Sequence, residues 1–148
     1  MAAPDPERIA VWRSFLAAHA AVERALTIAL EEERELQLPW FEVLNALQLA
    51  GGKVRVMELA ELVLVTPSSL SRQLTRLEDE GLVRRERSVA VGEDNRAVLI
   101  VLTRDGRDTW RRANTTYQRV VKRLFTSHLT DTDVASMHRV LGKVLDAS

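Results

Sequence analysis

The sequence predicts a mainly α-helical chain with one small antiparallel β-hairpin, in the order ααααββαα. Three observations predict it. Apolar residues recur at helical spacing over most of the 148 residues. Two short extended runs, residues 82–88 and 97–102, flank a turn that holds Gly92, Asp94 and Asn95. No internal repeat, low-complexity tract or long linker divides the chain, so residues 1–148 read as one domain.

Each element has its own signal. Residues 7–36 carry Ile9, Trp12, Leu16, Val22, Leu26 and Leu30 on one helical stripe, with a solvated acidic end at Glu31, Glu32, Glu33 and Glu35. Pro39 fits the first turn of a second helix, which buries Val43, Leu44 and Leu47 and stops at Gly51-Gly52. Residues 54–56 form a short extended piece, and residues 57–65 a third helix. Thr66 caps a fourth helix, Pro67 takes its first position, and Gly81 ends it. In the second extended run Val98, Ile100 and Leu102 share one face. Thr103 caps a fifth helix that runs to about residue 125. Thr130 or Asp131 starts a sixth, with Val134, Met137, Leu141 and Val144 along one side.

Composition excludes several functions. There are no cysteines, so disulfides, thiolate metal sites and thiol redox sensing are ruled out. No apolar run reaches the about 18 residues of a membrane span. The N-terminus lacks the basic start and apolar core of a signal peptide, so a cytoplasmic protein without a membrane partner is expected. No glycine-rich phosphate loop, HExxH motif or nucleophile–base grouping is present, so neither an enzyme nor a cofactor is expected. His19, His128 and His138 share no i, i+3 or i+4 spacing, and no metal site is expected. The formal net charge is zero. Residues 1–50 hold 4 basic and 8 acidic residues, and residues 51–112 hold 12 and 10. The positive excess therefore lies, weakly, away from the first helices.

The fourth helix is patterned for recognition. Leu70, Leu74 and Leu77 form a buried stripe. The opposite face holds Ser68, Arg72, Thr75 and Arg76, with Ser69, Ser71 and Gln73 at its edges. Arginine can fork onto guanine, Gln onto adenine, and Ser or Thr onto phosphates or either base. No acidic residue precedes Glu78, and a helix N-terminus attracts anions. The third helix, a short turn and this helix form a helix-turn-helix, whose second helix enters the major groove. Arg84, Arg85 and Arg87 lie just before the hairpin turn and Arg96 near its tip, where basic groups suit phosphates and the minor groove. The plain alternatives are a surface helix and a surface hairpin with a local Asp94–Arg96 pair worth about 0–1 kcal/mol.

The turn and second strand, Asp94-Asn95-Arg96-Ala97-Val98-Leu99-Ile100-Val101-Leu102-Thr103, resemble the wing signature of the MarR family of winged helix-turn-helix regulators. That signature is Asp-x-Arg, three residues, an aliphatic position, one residue, then Leu-Thr. Residues 77–85 (LEDEGLVRR) resemble the family's turn out of the recognition helix, and residues 102–107 (LTRDGR) its lead into the next helix. The sequence departs at Asn95, which is often basic in the family, and in the apolar Val89 and Val91.

The resemblance implies a homodimer on a near-palindromic operator in double-stranded DNA. Residues 5–36 and 104–148 would form the helical dimerisation region, and residues 53–103 the winged-helix lobe. It implies that Arg96 enters the minor groove and that Ser68, Ser69, Ser71, Arg72, Gln73 and Arg76 meet the major groove or its backbone. It further implies a repressor released by a small lipophilic or aromatic effector. Trp12, His19 and Trp40 are the candidate ligand residues, with Phe15 and Trp110 behind them. The same aromatics would also serve as packing in a dimer interface, where Trp is enriched. The rival reading of the whole chain is a winged-helix protein-interaction module that does not bind DNA.

Overall fold

The computed structural model describes residues 3, 5–63, 65–87 and 98–148. Its elements are α1 (Pro6–Arg34), α2 (Leu38–Leu49), β1 (Lys53–Arg55), α3 (Val56–Val63), α4 (Pro67–Asp79), β2 (Val83–Arg87), β3 (Val98–Leu102), α5 (Arg104–Leu124) and α6 (Asp131–Asp146). One 3-10 turn, Thr126–His128, precedes α6. The chain falls into two compact units, Thr27–Tyr117 and the pair Met1–Leu26 with Gln118–Ser148.

In Thr27–Tyr117 the core is apolar and mostly leucine. Leu30, Phe41, Leu44, Leu47, Leu59, Leu70, Leu74, Leu77 and Ile100 are fully buried. Phe41 stacks on Tyr117 with ring centroids 4.6 Å apart. Burial and, secondarily, Glu42 push the Tyr117 hydroxyl above its usual pKa. The antiparallel sheet has the order β1-β3-β2. The extended piece expected at residues 54–56 is therefore a true edge strand, one residue earlier. Val54 pairs with Ile100, and Val56 instead opens α3. Gly51 and Gly52, at φ +93° and +91°, turn the chain between α2 and β1, a conformation that L side chains rarely adopt.

In the other unit Leu26 and Val120 are buried. The predicted stripe of α1 is helical, yet Ile9, Trp12 and Leu16 remain 40%, 54% and 45% exposed in the single chain. Val134, Leu141 and Val144 of α6 are likewise exposed. The periodicity located the apolar face but could not show whether the same chain covers it.

Helix α6 starts with a reciprocal capping box. The Thr130 hydroxyl accepts from the Asp133 amide at 3.1 Å, and the Asp133 carboxylate accepts from the Thr130 amide at 2.9 Å. These bonds hold the Asp133 carboxyl below its usual pKa. A depressed carboxyl stabilises above its unfolded pKa, and that stabilisation is lost as pH falls through the folded value. Thr130→Ala should lower stability by about 1 kcal/mol in denaturant unfolding at neutral pH. The cost should shrink in acid, once Asp133 is protonated in both proteins.

Candidate nucleic-acid interface

Helix α4 presents the predicted polar face because its leucines are consumed inside. Thr66 is the N-cap, its side chain accepting from the Ser69 amide at 3.3 Å, and Pro67 follows it. Leu70, Leu74 and Leu77 are fully buried. Ser68, Ser71, Arg72, Thr75 and Arg76 consequently face solvent, and Ser69 and Gln73 are half-buried. Among the described residues neither Arg72 nor Arg76 has an ion-pair partner. Two guanidiniums thus face solvent without an ion-pair partner among the described residues, Arg72 midway along the helix and Arg76 in its last turn, while the serines lie nearer its N-terminus.

Thr75 is less available than its exposure implies. Its hydroxyl donates to the Ser71 carbonyl at 3.0 Å and lies 3.4 Å from the Arg85 guanidinium. Arg85 is also engaged. It donates to Glu78 at 2.9 Å, and its own amide donates to the other Glu78 oxygen at 3.1 Å. Strand pairing explains this: Arg85 sits opposite the buried Ile100, on the sheet face that receives α4. Arg85 thereby ties β2 to the C-terminal half of α4. Arg84 points the other way and donates to Glu86 at 2.6 and 3.1 Å. Arg87 is exposed at the end of β2.

Sequence reasoning thus grouped three arginines that strand alternation separates. It also missed Glu78, Glu86 and Lys53, the last bound to Glu86 at 3.1 Å. The alternation of residues 83–87 could have separated Arg84 from Arg85. The Lys53 contact becomes visible only once β1 is paired. Asp94, Asn95 and Arg96 lie outside the described residues, as do Val89, Val91 and Gly92.

The exit of α4 is fixed by tertiary bonds. Gly81 adopts φ +75°. The Thr103 hydroxyl donates to the Gly81 carbonyl at 2.7 Å and accepts from the Gly106 amide at 3.0 Å. The Thr103 amide donates to the Leu82 carbonyl at 3.2 Å. One threonine thus caps α5 and anchors the end of α4.

The candidate ligand residues are divided. Trp12 and His19 are exposed on α1 in one unit, and Trp40 is half-buried on α2 in the other. Trp12 stacks on Phe15 with centroids 6.2 Å apart. His19 lines an apolar recess of about 250 Å³ with Phe15, Ala18, Val22, Phe125, Met137 and Leu141, which Trp12 does not line. Its Nδ1 lies 3.7 Å from Glu23. Trp110 donates to the Asn45 side chain at 2.9 Å. Among the described residues no group of three or more acidic or histidine side chains could hold a metal ion. No described helix is long and apolar enough to cross a membrane.

Comparison with known proteins agrees with this geometry. The family model described as MarR family matches residues 35–92. AbsC, a MarR family transcriptional regulator from Streptomyces coelicolor, superposes with a TM-score of 0.87 at 26% identity, covering 99% of this chain and 97% of that one. Sco3205, a second such regulator from that organism solved in complex with DNA, gives 0.86 at 27% identity, covering 99% and 91%. A cysteine-to-serine mutant of MarR from E. coli complexed with operator DNA gives 0.78 at 28% identity, covering 96% and 99%. No curated protein matches in sequence. With a six-helix, three-strand fold that matches these structures and a family model that matches residues 35–92, the chain is similar to the MarR family of winged helix-turn-helix transcriptional regulators.

Proposed function

We propose that the protein is a cytoplasmic, homodimeric repressor that binds a near-palindromic operator in double-stranded DNA. The observation that carries this reading is the outer face of α4, where Arg72 and Arg76 are exposed and unpaired among the described residues. Ser68, Ser69, Ser71, Arg72, Gln73 and Arg76 read or flank the major groove. Arg87, and Arg96 in the wing, grip the adjoining backbone and minor groove. The Sco3205 and MarR structures, both solved in complex with DNA, support a DNA partner.

Two copies are needed because one α4 covers only one half-site. The exposed apolar residues of α1 and α6 support pairing, since large apolar patches on soluble proteins mark interaction surfaces. We further propose that a small lipophilic or aromatic effector, contacted by His19, releases the operator. The apolar recess beside His19 supports this part of the reading.

Fluorescence anisotropy with DNA from upstream of its own gene, against scrambled DNA of equal length, tests the central claim. Selective binding that weakens steeply with salt is expected, from a species that sediments as a dimer. No selectivity at low salt would remove that upstream region as the operator and favour the interaction-module reading.

A further inference from the structure

Lys53 lies 31 residues before Arg84 and 33 before Glu86 along the chain, yet the sheet gathers all three on one face. Lys53 of β1 and Arg84 of β2 both pair with Val101 of the central strand, from opposite sides. Two strand spacings, roughly 9.5–10 Å, separate their backbones. Ile100 and Leu102 take the buried face, so Val101 and its two neighbours point outward. Glu86, two residues beyond Arg84, shares that face opposite Leu99.

The Glu86 carboxylate bridges the two cations. One oxygen accepts from Arg84 Nε at 3.1 Å and Nη2 at 2.6 Å. The other lies 3.1 Å from Lys53 Nζ. These bonds hold the Glu86 carboxyl below its usual pKa, so it is anionic wherever the protein would meet DNA. All three side chains remain accessible, at 54%, 57% and 33% exposure for Lys53, Arg84 and Glu86.

We propose that Lys53 and Arg84 form a subsite for a DNA backbone phosphate, and that Glu86 occupies it in the free protein as an internal competitor. A phosphodiester offers two non-bridging oxygens and one negative charge, as the carboxylate does. Arginine supplies a fork and lysine a point charge, the two usual modes of phosphate capture. Exposed ion pairs are weakly held, so phosphate can displace the carboxylate. The displaced Glu86 then repels the phosphate that replaced it. Glu86 therefore lowers affinity without contributing to sequence choice. This inference rests on the DNA-binding reading above.

The test is anisotropy of the full-length protein with operator and scrambled duplexes across a salt series. Glu86→Gln should tighten both duplexes by the same factor, roughly threefold to tenfold, and steepen the slope of log K against log salt by about 0.9. Adding Lys53→Met to Glu86→Gln should remove both gains. An unchanged slope in Glu86→Gln, or a gain that survives Lys53→Met, overturns the subsite. Should Glu86→Gln fail to fold, Lys53→Met alone decides: it weakens both duplexes, or, unchanged, overturns the proposal. A parent protein that binds no duplex overturns the DNA reading instead.

Discussion

Arg72→Ala should weaken operator binding by about 1–3 kcal/mol, roughly 5- to 150-fold, and relax the preference at one base pair of each half-site. Arg72 lies opposite the Leu70, Leu74 and Leu77 stripe, so the face it occupies is fixed by burial. Because no described carboxylate neutralises it, no ion pair with a described residue must break before it meets a base. Thr75→Val, one turn away, should barely change preference, since the Thr75 hydroxyl is already donated to Ser71. Arg72→Lys separates the two roles a guanidinium can play. It should keep the salt slope and lose the base preference, because an ammonium cannot make the planar fork. Anisotropy against operators substituted one base pair at a time reads all three variants. A uniform loss on every duplex would make Arg72 a phosphate contact, and no loss at all would remove this face of α4 from the interface.

The elements were legible where one local signal decided them. Thr66, Pro67 and Gly81 bracket α4 in the sequence as they do in the structure, because caps and proline act over a single turn. The leucine stripe and the outward arginines follow from the same 100° periodicity. What stayed hidden depended on pairing between distant segments. Residues 53–55 are too short to declare a strand, and only their register with Val101, Ile100 and Leu99 makes them one. Arg84 and Arg85 look equivalent as neighbours, yet β-alternation sends one to Glu86 and the other to Glu78. The stripe of Ile9, Trp12 and Leu16 was visible, but periodicity alone does not state whether anything covers it. The LTRDGR run was recognisable as a pattern, while the reason for its glycine lies in a contact with Leu82.

That glycine carries the second large effect. Gly106→Ala should destabilise the protein by about 1–3 kcal/mol or more, against the usual trend for helices. A Gly in a helix interior normally costs about 0.5–1 kcal/mol relative to Ala, so replacement usually helps. At Gly106 a Cβ would stand 2.0 Å from the Leu82 carbonyl oxygen and 2.8 Å from Leu102 Cδ1. The Leu102 side chain can rotate, but the carbonyl cannot, because it accepts from the Thr103 amide and belongs to the turn out of α4. Relief therefore requires moving the backbone that joins α4 to β2, which also tilts the recognition face. Gly142→Ala is the control within the same chain: no described atom of the chain lies within 4 Å of its added Cβ. It should be neutral or stabilise by up to about 1 kcal/mol. Thermal unfolding of both variants, with operator affinity measured well below the transition, separates the two consequences. A Gly106→Ala protein that melts with the parent would mean α5 can shift away from Leu82 at no cost. One that melts early yet binds the operator normally would mean the turn yields without re-aiming α4.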